Sequence, residues 1–126
     1  MDAVTTRFPQ WLRDAIDRQT PGQRRSDALR QVVIEGVTSR DFPMVVWRDG
    51  PSGRRPGLRG GPDIEEIVAV ANLYNKDVSL ADVAAEVGVS EQDVADALRF
   101  RVAYGEIMDD RLAIRHRALA LAVRQD

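Results

Sequence analysis

Arginine is the residue type in this chain with the greatest capacity for directional chemistry. The sequence has 18 basic residues, and all of them except Lys76 are arginine. A guanidinium makes paired hydrogen bonds to carboxylate, phosphate or guanine, so these residues predict contacts with nucleic acid or with acidic protein surfaces. A GC-rich genome also enriches a protein in arginine, and composition alone leaves this alternative open.

Other kinds of chemistry are excluded by composition. With no cysteine and one histidine, the chain offers no thiol nucleophile, no disulfide and no imidazole-rich metal site. The adjacent carboxylates Asp109 and Asp110 are better explained by helix capping than by metal binding. We therefore predict that the protein is not an enzyme and that it has no catalytic residues, no metal and no cofactor.

The elements that carry the arginines belong to an ordinary folded chain. It has 126 residues, of which 44% are hydrophobic and 30% charged, enough for one domain or two very small ones. No apolar run approaches the length of a membrane span, and no secretory leader is recognisable. These features predict a cytoplasmic protein with no membrane partner.

The charges are distributed unevenly along the chain. Residues 1–61 contain 11 basic and 7 acidic residues, a net charge of +4, whereas residues 62–126 contain 7 basic and 13 acidic residues, a net charge of -6. The first half is therefore the better candidate for contact with phosphate.

The first predicted module spans residues 1–37. Side chains alternate with a period of two over residues 4–8, which indicates a short strand, and Pro9 is suited to start the helix that follows. A second helix is predicted to begin at the N-cap Ser26. Its expected apolar stripe is Leu29, Val33 and Val37.

The short strand has no partner within its own module. A unit of fewer than about 40 residues rarely folds alone, so we predict that two copies pair their strands about a two-fold axis to form a homodimer. The face directed into the dimer core would carry Val4, Thr6 and Phe8. The outward face would carry Ala3, Thr5 and Arg7 from each copy.

Residues 4–9, the helix start at 9–12 and residues 25–30 resemble the ribbon-helix-helix superfamily of MetJ, Arc and CopG type repressors. The resemblance implies a dimer that binds operator DNA. It implies base contacts in the major groove from Ala3, Thr5 and Arg7, and phosphate contacts at the start of the second helix from Arg24, Arg25 and Ser26. Thr6 departs from the bulky aliphatic residue that is usual at this inward position.

A linker is predicted at residues 38–42, followed by a second module at 43–126. Residues 43–48 and 54–58 are the expected arms of a hairpin around the turn at 49–53. Asp63 is expected to cap the next helix, with a buried stripe at Ile64, Ile67, Val68 and Ala71. The arginines of the return arm, Arg54, Arg55 and Arg59, are either phosphate contacts of a wing or solvated edge charges.

Residues 79–101 have the spacing of a helix-turn-helix. Ser79 and Ser90 are expected caps, each with an aspartate three residues later, and Gly88 permits the turn. The second helix begins with the carboxylates Glu91, Asp93 and Asp96, which would repel DNA phosphate. We therefore interpret this motif as a structural unit or one that contacts protein.

The last predicted helix spans residues 109–124 and begins at a cap, Asp109 or Asp110. Arginines and apolar residues alternate along it, as in an amphipathic basic helix.

The stretch 46–120 resembles a small domain of unknown function found in VapB-like antitoxins. The residues that carry this resemblance are 48–55, 60–64, 90–98 and 105–112. It implies a neighbouring PIN-like ribonuclease toxin as partner, with an acidic active site that the C-terminal helix covers. The arginines implied for toxin binding are Arg111, Arg115, Arg117 and Arg124. The alternative is a terminal helix that packs on its own domain.

Together these features predict a mainly α fold: an N-terminal ribbon-helix-helix dimerisation module, then a helical domain with a β-hairpin and a winged-helix-like helix-turn-helix. The predicted function is that of an antitoxin in a type II toxin-antitoxin pair. The alternative function is a stand-alone dimeric repressor whose second domain senses a ligand or a protein.

Overall fold

The computed structural model describes residues 7–74 and 79–124. It divides the chain into two compact units, Met1–Asp41 and Phe42–Asp126. Across the described ranges the chain is mainly helical, with six helices and one two-stranded antiparallel hairpin, which confirms the predicted class at this level. No helix within these ranges is both long and apolar enough to cross a bilayer.

The first unit contains two helices, α1 (Gln10–Gln19) and α2 (Arg25–Asp41). Pro9 precedes α1 in an extended conformation, and its carbonyl accepts hydrogen bonds from the N–H groups of Leu12 and Arg13 at 3.0 and 3.2 Å. This is the predicted helix start. Residues 4–6 of the predicted strand lie outside the described residues.

Helix α2 is longer than predicted at both ends. Ser26 is not its N-cap but lies inside the first turn, because the Arg24 carbonyl already accepts the N–H of Ala28 at 2.9 Å. At the other end, the first four residues of the predicted linker at 38–42 are helical. These four include no glycine or proline, so the helix continues until Phe42, which is disfavoured in a helical conformation because Pro43 follows it.

The second unit begins with the predicted hairpin. Strand β1 (Val45–Arg48) pairs antiparallel with β2 (Arg55–Leu58), and Arg48 lies directly opposite Arg55. The connecting turn contains Gly53 at a φ of 101°, a conformation that favours glycine.

Four helices follow the hairpin: α3 (Ile64–Leu73), α4 (Leu80–Val87), α5 (Glu91–Ala103) and α6 (Gly105–Arg124). The predicted helix-turn-helix is confirmed in α4 and α5, with Gly88 in the left-handed conformation between them. Ser79 Oγ accepts the N–H of Asp82, and Ser90 Oγ that of Asp93, each at 3.0 Å. Asp93 also accepts the N–H of Ser90, which completes a capping box.

One hydrophobic core joins these elements. The predicted stripe of α3 is buried, and it meets residues from α4, α5 and α6. The largest completely buried apolar side chains are Phe100, Ile64, Ile67, Met108, Val68, Val83 and Val94. The ring of Phe42 packs edge-on against Phe100, with ring centroids 5.4 Å apart, so the residue after α2 belongs to this core.

Helix α6 starts earlier than predicted. It begins at Gly105, so Asp109 and Asp110 are exposed residues of its second turn and cap nothing. The reason is tertiary: an earlier start brings Met108 into the core, where its side chain is completely buried.

Candidate functional site

Of the three residues predicted to read bases, only Arg7 is described. It is exposed and lies in a non-helical segment before α1. Ala3 and Thr5 lie outside the described residues.

The predicted phosphate contact Arg25 already has an anionic partner. Its Nη2 donates to Asp17 Oδ2 at 2.8 Å and its Nε to Asp17 Oδ1 at 3.2 Å, so the two groups form a bidentate pair between α1 and α2. The hydrogen bond from Arg25 holds the pKa of Asp17 below its ordinary value, and the same pair raises the pKa of Arg25. The two side chains remain 60% and 44% exposed, so the pair is open to competition from solvent or another anion.

The other two predicted phosphate contacts, Arg24 and Ser26, are exposed at the same helix terminus. The N–H groups of the first turn of α2 precede its first internal hydrogen bond, so they are available to an acceptor. Asp27 also lies in this turn, and its exposed carboxylate reduces the attraction for an anion. The terminus therefore combines backbone donors and two arginines with two carboxylates, Asp17 and Asp27.

Several large apolar side chains of the first unit are exposed. Ile16, Ala28 and Thr38 are buried, whereas Trp11 is 69% exposed. From the predicted stripe of α2, Val33 and Val37 are 53% and 50% exposed in the single chain. The prediction places this stripe in the core of a dimer, which the single chain does not test.

In the second unit, the carboxylate of Asp63 lies between two arginines of the hairpin. Asp63 occupies the predicted N-cap position of α3, but its side chain makes no capping hydrogen bond. It accepts from Arg48 Nη1 at 3.1 Å and from Arg55 Nε instead. Arg48 also donates to the carbonyl of Leu58. The capping prediction for this side chain was therefore wrong, because two cations compete for it more strongly than one backbone N–H.

Two glycines make room for these arginines. A Cβ atom on Gly57 would lie 2.2 Å from Arg48 Nη1, and one on Gly50 would lie 1.6 Å from Arg55 Nη1. Arg55 is thus neither of the predicted alternatives, a wing contact or a solvated edge charge. Arg54 pairs with the exposed carboxylate of Asp49 at 3.3 Å, and Arg59 is exposed.

Arg111 is buried, contrary to its predicted place on a toxin-binding surface. Its Nε donates to Glu65 Oε1 at 3.0 Å, its Nη1 to the Ser52 carbonyl at 2.8 Å and its Nη2 to Ser52 Oγ at 2.8 Å. The side chains of Arg111 and Glu65 are only 7% and 6% exposed. This guanidinium therefore joins α6 to α3 and to the hairpin turn.

A cleft of about 390 Å³ opens beside this ion pair. Its lining residues come from the hairpin, the start of α3 and the middle of α6: Pro51, Ser52, Arg55, Asp63, Glu65, Arg115, Ala118 and Leu119. Arg115, the second predicted toxin contact, is half-buried at this cleft.

The outer half of α6 is exposed on all sides from residue 116 to residue 123. Leu119, Leu121 and Val123 are 58%, 59% and 75% exposed. Arg117, the third predicted toxin contact, lies in this exposed half, and Arg124 ends the helix, although its side chain is outside the described part of the structure.

The predicted acidic face at the start of α5 is smaller than expected. Glu91 is exposed, but Asp93 is held in the capping box and Asp96 is 7% exposed. Asp96 accepts hydrogen bonds from Gln92 at 2.9 Å and from Arg99. Its placement on an exposed face was wrong because this position of α5 turns towards the core beside Ala97.

Sequence reasoning missed the two ion clusters of the second unit. Arg48, Asp63, Glu65 and Ser52 were not predicted to bind one another. The available signal was the spacing of arginines and glycines in residues 48–57, since a glycine near a long side chain leaves space for it.

Among residues 7–74 and 79–124, no three histidine or acidic side chains form a group that could hold a metal ion. The chain matches no known protein family, no curated protein and no solved structure.

Proposed function

We propose that the protein is a DNA-binding antitoxin of a type II toxin-antitoxin pair, acting in the cytoplasm as a homodimer. Its first unit binds operator DNA as a ribbon-helix-helix dimer. Its second unit, a winged-helix-like domain extended by α6, binds a PIN-like ribonuclease toxin. The two resemblances described above support these assignments, and they agree on one kind of protein.

The observation that carries the proposal is the incomplete core of the first unit. Two helices bury few residues between them and leave Trp11, Val33 and Val37 exposed to water. Burial of one such side chain contributes about 1.5 to 3 kcal/mol, so a partner that covers all three stabilises the unit substantially. A second copy, paired through the N-terminal strand, is the partner that the alternation of residues 4–8 favours.

The charges of the first unit support DNA as its ligand. Arg7, Arg24 and Arg25 are all exposed, and dimerisation doubles each of them. The first unit, residues 1–41, contains 7 basic and 6 acidic residues, a net charge of +1 that becomes +2 in a dimer, so its attraction for DNA depends on where these arginines lie rather than on the net charge. Attraction to phosphate of this kind increases affinity for any duplex, and the ribbon residues add the contacts with bases.

The exposed outer half of α6 supports a protein partner for the second unit. This segment presents leucine and valine side chains to solvent next to Arg117, and an apolar groove with acidic residues is complementary to it. The start of α5 bears Glu91 rather than arginine, so α5 is a poor reader of DNA.

A double substitution on the exposed apolar face of α2 tests the proposal. Val33→Asp with Val37→Asp places two carboxylates on the face that the second copy covers. We expect a monomer by sedimentation equilibrium and at least a tenfold loss of operator affinity, because two-fold related contacts no longer act together. Val102→Asp is the matched control, since Val102 is 86% exposed on the second unit.

Co-expression with the toxin encoded by the neighbouring gene completes the test. The Val33→Asp, Val37→Asp protein should still capture the toxin through its second unit. An unchanged dimer with unchanged DNA affinity contradicts the proposed role of the first unit, and failure of the wild-type chain to capture the toxin contradicts the antitoxin function.

A further inference from the structure

We propose that the cleft between the hairpin turn, the start of α3 and the middle of α6 binds a small organic anion. The anion is a carboxylate or a phosphate on an apolar body. Its binding requires neither DNA nor a toxin. We call this site the anion cleft and define it by Ser52, Arg55, Arg115, Ala118 and Leu119.

The size of the anion cleft suits a small molecule. Its volume of about 390 Å³ lies at the lower end of the range typical of sites for small ligands. Three separate elements form its walls, so the site exists only in the folded second unit.

The charge around the anion cleft is positive although two acids line it. The Asp63 carboxylate is shared by Arg48 and Arg55, and the Glu65 carboxylate is paired with Arg111. Three arginines thus neutralise two carboxylates and leave one excess positive charge. Arg115 adds a second, so an anion in the cleft experiences a net attraction.

The Arg115 guanidinium is unpaired in the part of the chain that the structure describes. Across residues 7–74 and 79–124, its guanidinium makes no hydrogen bond or ion pair, although the side chain is half-buried at the cleft. The three other arginines of the region, Arg48, Arg55 and Arg111, all bind a carboxylate. A planar guanidinium in a partly desolvated position binds carboxylate or phosphate through two parallel hydrogen bonds, and Arg115 is placed to do so.

Ser52, in the hairpin turn, supplies a further polar group to the lining of the cleft. Its Oγ accepts a hydrogen bond from Arg111 at 2.8 Å, which leaves the hydroxyl proton to be donated. The acceptor that matches both a hydroxyl donor and a guanidinium is an anionic oxygen.

The remaining wall determines the rest of the ligand. Pro51, Ala118 and Leu119 contribute apolar surface next to the charged groups. An ion without an apolar portion leaves this surface exposed to water, whereas an aromatic or aliphatic acid covers it. We therefore expect organic anions to bind more tightly than inorganic phosphate.

The polar groups of the site are held in place before a ligand arrives. Arg55 passes over Gly50 and is fixed by Asp63, and Ser52 is fixed by Arg111. Preorganisation of this kind reduces the entropy lost on binding.

The experiment is a titration of the full chain, observed by ¹⁵N NMR, with 2-naphthoate, 2-naphthyl phosphate, neutral 2-naphthamide and inorganic phosphate. We expect saturable binding of one or both organic anions with a dissociation constant of about 1 mM or tighter. The amide signals of Ser52 and Ala118 should shift. The ratio of the two affinities tells whether carboxylate or phosphate is the preferred group.

Two substitutions localise the site. Arg115→Met should weaken binding of the organic anion at least tenfold, and Ala118→Phe should weaken it by filling the cleft. Arg59→Met is the matched control, because Arg59 is an exposed arginine of the same unit outside the lining, and it should bind as wild type does.

Three results overturn the proposal. They are the absence of saturable binding by either organic anion, equal binding of 2-naphthamide, and equal loss of affinity in Arg115→Met and Arg59→Met. The last would show a general effect of positive charge rather than a site. Since DNA and toxin are absent from the titration, each outcome is independent of the proposed antitoxin function.

Discussion

Arg25 and Asp17 form a bidentate ion pair that joins α1 to α2, with hydrogen bonds of 2.8 and 3.2 Å. Arg25 is also the arginine that we propose contacts a DNA phosphate. A carboxylate and a phosphate bind a guanidinium through the same donors, so the two anions compete for it. If the first unit binds DNA as proposed, Asp17 competes with the DNA phosphate for Arg25 at the start of α2.

The first prediction is that removal of this competitor changes how DNA binding depends on salt. Asp17→Asn frees Arg25, and the logarithm of the affinity should fall more steeply with the logarithm of the salt concentration, by about 0.9 to 1.8 for one or two added phosphate contacts. Adding Arg25→Ala to Asp17→Asn should remove this increase, because the freed guanidinium is then absent. Gel-shift titrations at several salt concentrations measure both slopes.

Asp14→Asn is the control for this experiment, since it removes the same charge from an exposed position of the same helix. If Asp14→Asn and Asp17→Asn steepen the slope equally, only net charge matters and the competition does not exist.

The second prediction concerns the titration of Asp17. The hydrogen bond from Arg25 lowers the pKa of this carboxyl in the folded protein. The ion pair therefore stabilises the fold fully at pH values above the pKa that Asp17 has in the unfolded chain. That contribution is lost as the pH falls through the lower, folded-state pKa. In Arg25→Ala, the pKa of Asp17 should rise to its ordinary value, as ¹³C NMR of the carboxyl measures. An identical pKa in both proteins would show that the pair does not persist in solution.

The third prediction is that a side chain at position 57 destabilises the protein by displacing the Arg48 guanidinium. Gly57→Ala places a methyl group 2.2 Å from Arg48 Nη1, so Arg48 must leave Asp63, and the free energy of unfolding should fall by about 1 to 2 kcal/mol. Gly105→Ala is the control, because a Cβ atom there meets nothing within 4 Å. It should be neutral or stabilise the protein by about 0.5 kcal/mol.

Urea denaturation followed by circular dichroism measures these differences. In an Arg48→Met background, the further cost of Gly57→Ala should shrink, because the clashing group is absent. A cost that is independent of the residue at position 48 would assign the effect to the backbone of β2.

The fourth prediction concerns the buried pair of Arg111 and Glu65. Arg111→Met leaves the Glu65 carboxylate buried without a cation, and the free energy of unfolding should fall by about 3 to 5 kcal/mol. Glu65→Gln should be costly for the same reason. Arg117→Met, on the exposed half of the same helix, should change stability by less than about 0.5 kcal/mol.

The double variant Arg111→Met with Glu65→Gln should be more stable than the sum of the single effects indicates, since neither charge is then left alone. Additive losses in thermal or urea denaturation would show that the two side chains act independently.

The fifth prediction is that the chain can be divided after Asp41. The fragment 42–126 keeps the whole core around Ile64, Phe100 and Met108, so it should fold cooperatively and remain a monomer. The fragment 1–41 should fold only as a dimer, with a melting temperature that rises with protein concentration. Circular dichroism of each fragment at several concentrations measures this. A fragment 1–41 that is folded at all concentrations would contradict the need for a second copy.

The sequence predicted most of what depends on neighbouring residues. The caps Ser79 and Ser90, the turn at Gly88 and the buried stripe of α3 all follow from patterns a few residues long, and the structure confirms them. Such features are decided by local backbone geometry and by periodic burial, both of which can be read without knowledge of the fold.

Helix boundaries were less predictable, because capping residues compete with packing. Asp109 is an acceptable cap in isolation, but a helix that starts at Gly105 buries Met108. Ser26 is likewise a good cap, but α2 begins at Arg25, two residues before the start that a Ser26 cap would give. In the first case, burial of a large apolar side chain stabilises the longer helix more than one capping hydrogen bond stabilises the shorter one.

By itself the sequence determined the helical class, the hairpin, the helix-turn-helix and the absence of thiol and imidazole-rich chemistry. Only the tertiary structure decided which charges are surface and which are internal. Arg111 and Arg115 lie one helical turn apart with the same side chain, yet the first is buried against Glu65, 46 residues away in sequence, and the second lines an open cleft. No local pattern separates the two, because a charge becomes internal when a distant segment of the chain brings its partner and removes water from both.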